Sequence, residues 1–521
     1  MERLVVTNTA VDERKGRRGA AVTGQPHWMG ALITAAAAAL VGVLVAVTMP
    51  RGPATAGQSL FVMSSSLAVG LIAGYAMRSR WALGLALAAY MAAVELARLD
   101  AAGPTVDAIR LDNTFGILAF VLGRGFHGLL LLLPMILGVE WGVLLARQPS
   151  GAGASRSRAR KIVRWASVAL LTLFLIALAA LITRPASTPP ILDAAGRPLP
   201  GSVAELVMLR VDGRDQALMI RGYDVNKPVL LYLSGGPGQS SLPWPRVLFD
   251  DLSREFVLVG WDQRGSGKSY AALDPAETLT LERTIADTIE VTDYLRERFD
   301  EEKIYLLGES WGTTLGVLAA QQRPDLYHAV IGSGQMVSQR ETDRRLYEDL
   351  LDYAERSGDE LLASKMLAYG PPPYDDLYAY AFVMGYYDKL YRPYTPPQAY
   401  LDKAEEAALG PWNVLGSEYN FVEKINVFRG FLDTAAILYP LLQDIDFRHD
   451  VPRLEVPLYI MDGAAELPAR RDLALEWFDQ VDAPIKRIFT FENAAHAPAF
   501  EHFDSFTRIM RETILPETYE R

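Results

Sequence analysis

Long runs of apolar residues dominate the first third of the chain. Residues 29–49 carry no charge over about the twenty residues that a helix needs to cross the core of a bilayer. Similar runs recur at intervals and are separated by short polar loops. The candidate segments are residues 29–49, 59–77, 81–98, 126–146 and 162–183. This pattern predicts about five membrane-spanning helices within residues 29–183.

The fourth segment contains ionisable groups and follows a further apolar stretch. Residues 115–125 precede the fourth segment and make it too long for one straight span, so we interpret them as an interfacial or re-entrant piece. Ionisable groups inside a membrane are functional candidates by default. His127 and Glu140 could therefore relay protons or substrate; alternatively, they lie near the interface or pair with Arg124.

The short loops between the apolar segments indicate an orientation. Five spans would place three basic clusters on one side, which the positive-inside rule assigns to the cytoplasm. The clusters are Arg14, Lys15, Arg17 and Arg18; Arg78 and Arg80; and Arg156, Arg158, Arg160 and Lys161. The C-terminal domain is then predicted to be extracytoplasmic. The first span lacks a clear cleavage pattern and is interpreted as uncleaved.

The remainder of the chain has the pattern of a globular domain. Short apolar runs alternate there with amphipathic stretches such as residues 281–299. Continuous apolar strands between helices are typical of a mostly parallel sheet with helices on both faces. The runs are residues 229–233, 256–261, 304–308, 328–333, 456–461 and 487–491.

This alternation stops near residue 336 and resumes near residue 452. The tyrosine-rich, helical segment between them is predicted to be a cap over the carboxyl ends of the strands, where open sheets bind ligands. The predicted organisation is a cytoplasmic tail (1–28), a transmembrane region (29–183), a linker (184–201), a first core part (202–335), the cap (336–451) and a second core part (452–521).

Composition excludes several kinds of chemistry. The 521 residues include no cysteine, which rules out disulfides, thiolate metal sites and a cysteine nucleophile. The formal net charge of -11 argues against a nucleic-acid partner, because phosphate binding needs a basic surface. No metal-binding spacing occurs among the six histidines, so we predict neither a metal nor another cofactor.

The strongest chemical signal is Gly308-Glu309-Ser310-Trp311-Gly312, which follows an apolar run and precedes a helix-compatible stretch. A GxSxG sequence between a strand and a helix is the context of a nucleophile elbow. Ser310 is therefore the predicted nucleophile. Its hydroxyl needs a base to take its proton and an acid to orient that base.

The expected chain order in such a fold is serine, then acid, then histidine. His496 follows the last predicted strand and is the best candidate for the base, whereas His502 falls within the next predicted helix. Asp462 and Glu466 both follow the preceding strand and are both candidates for the acid.

Four segments in the same order resemble the proline iminopeptidase family of α/β-hydrolases. They are PVLLYLSGGPG, VLVGWDQRGSGKS, LLGESWGTTLG and the late AAH. The resemblance covers residues 205–335 and 452–521. It implies an α/β-hydrolase fold and a serine aminopeptidase that releases N-terminal residues from peptides through an acyl-enzyme, without a cofactor.

The resemblance also implies roles for single residues. The family acid comes three residues after a glycine, which maps onto Glu466 after Gly463, although the family usually has Asp there. Two backbone N–H groups form the oxyanion hole in this fold, one of them from the residue after the nucleophile. They correspond to Trp311 and, by resemblance, Gly236. Ser234 stands where the family usually has His, which weakens the transfer of proline preference.

Substrate recognition is open at this stage. LGSEYNF, residues 415–421, resembles a segment that supplies an amine-binding carboxylate, which maps onto Glu418; a solvated glutamate at a helix end is the alternative. The alternative functions are an esterase or lipase at the membrane and a sensor or binding module without turnover. The expected partners are a peptide or small acyl substrate and the lipid bilayer. The oligomeric state is left open.

Overall fold

A computed structural model describes residues 27–146, 158–406 and 416–519. An N-terminal helical domain is followed by a domain with a mostly parallel sheet, as predicted. Several residues of the predicted basic clusters, Arg14, Lys15, Arg17, Arg18 and Arg156, lie outside the described residues, as does the side chain of Arg160.

The N-terminal domain consists of antiparallel helices. They are α1 (His27–Thr48), α2 (Ala56–Met77), α3 (Ala82–Ala97), α4 (Thr114–Phe120), α5 (Phe126–Leu145) and α6 (Arg158–Thr183). Four described segments here, Trp28–Thr48, Ala56–Met77, Thr114–Leu145 and Lys161–Thr183, are long and apolar enough to cross a membrane, and α3 is a shorter apolar helix. Phe421–Asp444, in the cap, also meets that criterion.

The interpretation of residues 115–125 as a separate piece is wrong. The Asn113 side chain accepts a hydrogen bond from the N–H of Gly116 at 2.7 Å and starts α4. A π-helical turn, Val121–Gly125, then joins α4 to α5 without a break. The uninterrupted apolar sequence allows the helix to continue, and a π-helical turn absorbs an extra residue within it.

His127 and Glu140 have partners other than Arg124. Glu140 forms ion pairs with Arg80 at 2.5 Å and with Arg164 at 2.8 Å. Arg124 pairs with Glu95 at 3.1 Å. His127 is buried and forms a hydrogen bond with the hydroxyl of Tyr90 at 3.0 Å. The predicted pairing with Arg124 is therefore wrong, because Glu95 on the neighbouring helix neutralises this arginine instead.

The helix directions place the loops at two opposite ends. The loops after α1 and after α3 contact the sheet domain, through Arg51 on Asp274 and through Thr105 on Asp433. The turn between α2 and α3 and the start of α6 lie at the other end. The described basic residues Arg78, Arg80, Arg158 and Lys161 therefore share the end that faces away from the sheet domain.

The second domain contains one sheet of eight strands in the order β1-β2-β4-β3-β5-β6-β7-β8. The pairs β1–β2 and β2–β4 are antiparallel, and all other neighbours are parallel. The strands are β1 (Val203–Val211), β2 (Arg214–Gly222), β3 (Val229–Leu233), β4 (Val257–Asp262), β5 (Ile304–Glu309), β6 (Tyr327–Ser333), β7 (Leu458–Gly463) and β8 (Lys486–Phe491). Strands β3 to β5 and β7 are buried along their whole length, which explains their continuous apolar sequence.

Helices cover the sheet, and the cap lies between β6 and β7. The core helices before the cap are α7 (Trp244–Val247), α8 (Leu281–Phe299) and α9 (Trp311–Gln322). The cap helices are α10 (Gln339–Ser357), α11 (Glu360–Tyr369), α12 (Leu377–Met384), α13 (Tyr387–Leu390), α14 (Gln398–Glu406), α15 (Phe421–Leu438) and α16 (Phe447–Asp450). The last core helices are α17 (Pro468–Gln480), α18 (Pro498–Glu501), α19 (Phe503–Ile509) and α20 (Leu515–Thr518).

Helix α15 joins the two domains through buried polar groups. Asp433 is fully buried and forms an ion pair with Arg51 at 3.2 Å. It also accepts hydrogen bonds from the Thr105 hydroxyl and the Tyr270 hydroxyl, both at 2.6 Å. One turn earlier, Arg429 donates to the carbonyl of Pro53 at 2.8 Å. One carboxylate is thus shared by the loop after α1, the loop after α3 and the sheet domain.

Asp433→Asn is expected to weaken this junction. The change leaves the buried Arg51 with only the partly exposed Asp274 as a carboxylate partner, and breaking a buried pair costs about 3 kcal/mol of unfolding free energy. Thermal unfolding of the purified full chain in detergent would measure the loss. Asp444→Asn is the matched control, because Asp444 pairs with Arg340 but is 90% exposed. Equal melting temperatures for the two variants would contradict the role of Asp433.

Candidate active site

Ser310 lies in a sharp turn between β5 and α9. Its backbone has φ 52° and ψ -120°, a strained conformation for a residue with a side chain. The N–H of Ser310 donates to the carbonyl of Ser333 at 3.0 Å, and its carbonyl accepts from the N–H of Thr313 at 2.8 Å. The turn is therefore held from both sides, at the carboxyl end of the central parallel strands.

The two glycines of the motif allow this turn. A Cβ atom on Gly308 would lie 2.5 Å from the carbonyl oxygen of Gly312, and a Cβ on Gly312 would overlap the Leu233 carbonyl. Any larger residue would push α9 away from the strands. The spacing of the GxSxG sequence thus follows from close packing of backbone on backbone.

His496 and Glu466 are in contact. Nδ1 of His496 forms a short hydrogen bond with Oε2 of Glu466, and the other oxygen, Oε1, accepts the N–H of Leu467 at 2.7 Å. Burial opposes ionisation of Glu466, but attraction to His496, the hydrogen bond with its ring and the charge of Arg470 together lower the pKa of Glu466 below its ordinary value. Glu466 is therefore an ionised carboxylate that holds one ring nitrogen of His496.

Backbone contacts bring these two loops to the elbow. A Cβ atom on Gly463 would overlap the Ala495 carbonyl, so the loop that carries His496 passes directly over the end of β7. His496 also packs against Gly334, the residue after Ser333. Because Ser333 accepts the N–H of Ser310, the base loop and the nucleophile turn rest on the same strand end.

Asp462, the other candidate acid, has different partners. Its carboxylate pairs with Arg471 at 2.8 Å and accepts the Thr490 hydroxyl at 3.0 Å. As the last residue but one of β7, its side chain follows the strand alternation, whereas Glu466 lies in the turn beyond. The structure thus brings Glu466 to His496 and leaves Asp462 in an ion pair with α17.

One side chain, that of Gln263, links the indole of Trp311 to the loop that carries Gly236. Gln263 accepts the indole N–H of Trp311 at 3.0 Å and donates to the carbonyl of Ser234 at 3.2 Å. Gly236 has φ +113°, a conformation that favours glycine. The Ser234 hydroxyl donates to the carbonyl of Gln239 at 2.9 Å and closes the turn around Gly236. Ser234 thus has a structural role where the family usually has His.

Comparison with known proteins bears on the second domain. Residues 228–414 match a family described as the alpha/beta hydrolase fold. The chain is 29% identical over 310 residues to a probable aminopeptidase, YbaC, of Bacillus subtilis, and the match covers 59% of this chain and 96% of that protein. It is 33% identical over 123 residues to a probable proline iminopeptidase of Leptolyngbya boryana, covering 24% of this chain and 36% of that one.

One solved structure aligns with a similar share of the chain. A proline iminopeptidase-related protein from Thermus thermophilus aligns with 22% identity and a TM-score of 0.41, covering 61% of this chain and 98% of that one. The strand order and the family match together decide the fold. The second domain (the hydrolase domain) has the α/β-hydrolase fold. The prediction of this fold is confirmed, and the relatives support a hydrolase of this family.

The sequence pattern did not single out Glu309, although this residue lies within the GxSxG motif. Its side chain is buried, and Oε2 accepts the N–H of Gly235 at 3.1 Å. Burial is the main cause that raises the pKa of Glu309 above its ordinary value. The residue before the nucleophile thus holds the residue before Gly236. A carboxylate in an otherwise apolar strand end was the available signal.

Glu418 contacts a different part of the domain from His496 and Glu466. Its side chain is fully buried and pairs with Arg246, with distances of 2.7 Å to Nε and 3.3 Å to Nη2. The alternative of a solvated glutamate is therefore wrong. The predicted amine-binding role gains no support, because a substrate ammonium would have to displace a guanidinium that the protein already supplies.

Other buried carboxylates surround the base of the hydrolase domain. Glu309 and Glu501 both interact electrostatically with His496, as Glu466 does. Glu501 accepts the N–H of Ala495 at 3.2 Å, and burial raises its pKa to about 6. At neutral pH a pKa of about 6 leaves Glu501 mostly ionised, whereas burial favours the protonated form of Glu309, and Arg470 beside Glu466 adds a positive charge.

Replacing each candidate acid in turn would show which of the two, Asp462 or Glu466, orients His496. Glu466→Gln is expected to lower kcat by roughly 10⁴-fold, because the amide cannot hold the imidazole in the required tautomer or stabilise its cation. Asp462→Asn should change kcat little, since Asp462 contacts Arg471 and not His496. Steady-state kinetics on an activated ester would measure both. A large loss in Asp462→Asn with an active Glu466→Gln would reverse the assignment.

Glu309→Ala is expected to lower kcat by about tenfold, less than the loss of a direct oxyanion donor, because Glu309 orients Gly235 and does not itself face the oxyanion. KM should change little. Glu309→Gln is the matched control, since its amide oxygen can still accept the Gly235 N–H. If both variants lose kcat equally, the charge matters and the hydrogen bond does not.

Proposed function

We propose that this protein is a membrane-anchored serine hydrolase of the aminopeptidase type. The observation that carries the proposal is the constellation of the strained Ser310 turn, His496 on the adjoining strand end and the ionised Glu466 bound to its ring. Acyl transfer by a serine needs these three roles in such an arrangement.

In the proposed reaction the Ser310 hydroxyl attacks the carbonyl carbon of the first residue of a peptide. His496 takes the hydroxyl proton and then gives it to the leaving amine, which departs as the bond to nitrogen breaks. Water, deprotonated by His496, next attacks the acyl-enzyme, and the proton returns to Ser310. The N–H groups of Trp311 and Gly236 donate to the oxyanion in both steps.

Two observations favour a peptide with a free amino terminus as substrate. The relative aligned over 96% of its length is named a probable aminopeptidase. In addition, Glu501 interacts with His496 and has a pKa of about 6, so it is mostly ionised at neutral pH and its charge favours a substrate ammonium group. In this proposal Glu501 takes the place that the sequence assigned to Glu418.

An esterase at the membrane is the second candidate. The Arg246–Glu418 pair favours it, because the carboxylate expected to bind the substrate amine is already neutralised. The same nucleophile and base cleave esters, and the apolar helices of the N-terminal domain would bring the site close to lipid.

A substrate panel would decide between the two. Alanine, leucine and proline p-nitroanilides should be hydrolysed by the purified full chain, whereas their N-acetyl forms, the matched controls, should not, because the acetyl group removes the ammonium. Ser310→Ala should abolish turnover. Hydrolysis of p-nitrophenyl butyrate with no turnover of any free-amine substrate would support the esterase and contradict the aminopeptidase.

The proposed location is the cell membrane, with the hydrolase domain outside the cytoplasm. The described cations Arg78, Arg80, Arg158 and Lys161 lie at the opposite end of the helices, which supports this orientation. The same panel tests it when a substrate that cannot cross a bilayer is given to intact cells. Equal rates in intact and lysed cells are expected, and activity only after lysis would reverse the orientation.

A further inference from the structure

A large cavity of the N-terminal domain lies at the end of the helices that faces away from the hydrolase domain. Its volume is about 990 Å³, and it opens between the turn after α2, the end of α5 and the start of α6. None of the groups discussed for hydrolysis lines it. The proposed hydrolysis therefore does not explain the cavity.

The polar part of the cavity wall is strongly basic. Four cations line it, Arg78, Arg80, Lys161 and Arg164, against one carboxylate, Glu140. Glu140 pairs with Arg80 at 2.5 Å and with Arg164 at 2.8 Å, so it fixes two guanidiniums from different elements at one place. Within the described part of the chain, no acidic group pairs with Arg78 or Lys161.

The described wall carries an excess of positive charge. Its four cations face a single carboxylate, Glu140, so three positive charges are not compensated within the wall. An anion bound in the cavity would therefore be stabilised, since like charges held together repel.

The other part of the wall is apolar. Leu137, Val143, Leu144, Val168 and Leu171 line the cavity beside the cations. Beyond them, α6 exposes Leu170, Leu173 and Phe174 along the same helix, and Trp81 and Trp165 flank the polar end. Tryptophans at this level are typical of the interface between headgroups and acyl chains. A soluble anion would leave this apolar surface uncovered.

We infer that this cavity, defined by Arg78, Arg80, Glu140, Lys161, Arg164 and Leu144, binds an anionic glycerophospholipid. Its phosphate lies among the cations, and its acyl chains lie along the apolar wall and the exposed face of α6. Basic pockets between membrane helices on the cytoplasmic side have this chemistry. The inference rests on the proposed membrane location but is independent of the proposed hydrolysis.

Native mass spectrometry of the full chain, extracted in a neutral detergent and titrated with lipid, tests the inference. Phosphatidylglycerol should bind, and phosphatidylcholine with the same acyl chains should bind far more weakly. In the Arg78→Gln/Lys161→Gln variant the affinity for phosphatidylglycerol should fall about 30-fold, since each cation near an anionic headgroup contributes roughly fivefold. Equal binding of both lipids, or unchanged binding in the variant, would overturn the inference.

Two further variants keep the result interpretable. Arg184→Gln/Arg392→Gln removes the same charge from exposed positions outside the cavity and should bind phosphatidylglycerol like the wild type. Leu144→Trp narrows the apolar wall without changing charge and should also weaken binding. If the matched control loses affinity as the cavity variant does, general electrostatic attraction explains the binding and the site is refuted.

Two additional measurements distinguish a site for a soluble phosphate, and an error in the proposed membrane location, from the proposed lipid site. Displacement of bound lipid by glycerol 3-phosphate would show that the cavity takes a soluble phosphate, which would overturn the lipid assignment. Recovery of the protein in the membrane fraction reports the proposed location by itself. If the protein is recovered in the membrane fraction but does not prefer phosphatidylglycerol, the lipid-binding site is refuted and the proposed location is retained.

Discussion

The buried carboxylate of Asp433 is the interaction on which the arrangement of the two domains depends. It neutralises Arg51 from the helical domain and accepts hydrogen bonds from Thr105 and Tyr270. The next residue along α15, Thr434, packs on Gly238 in the loop that carries Gly236. One helix of the cap therefore touches the helical domain on one side and the oxyanion loop on the other. Because Asp433 and Thr434 are adjacent, a shift of the helical domain that moved α15 would also move the loop that carries Gly236.

Close approach of backbone to backbone has the same organising effect within the hydrolase domain. Gly308 and Gly312 allow α9 to start against β3, and Gly463 allows the His496 loop to cross the end of β7. These contacts have no side chain that can adjust, so the elbow and the base loop have little freedom relative to one another. The strain at Ser310 persists because the surrounding contacts over-determine its conformation. Preorganisation of this kind would let the proposed oxyanion donors act without rearrangement during the proposed reaction.

Much of the fold and the centre of the site could be predicted from sequence, for physical reasons. The buried strands β3 to β5 and β7 are apolar without interruption, and the elbow needs glycines at fixed spacing around Ser310. The choice of Glu466 rested on resemblance alone, since Asp462 ends the same strand; only the loop geometry separates them. The partners of Glu140 and Glu418 could not be found, because Arg80, Arg164 and Arg246 are distant in sequence. The π-helical turn at Val121–Gly125 had no local sequence signal.

Two departures from the resembling family have local compensations that bear on specificity. Glu466 is one methylene longer than Asp, and the Leu467 N–H and the nearby Arg470 fix its second oxygen, with Nη1 of Arg470 at 3.8 Å. Arg470 also stacks on the ring of Tyr387 from the cap at 4.8 Å, so the acid is tied to the cap as well as to the core. At the second position, the Ser234 hydroxyl donates to the Gln239 carbonyl and Glu309 accepts the Gly235 N–H, so the loop that carries Gly236 is fixed by both residues. Local contacts thus position both the carboxylate beside His496 and the loop of the proposed oxyanion hole, without the residues that the family usually has at these two positions.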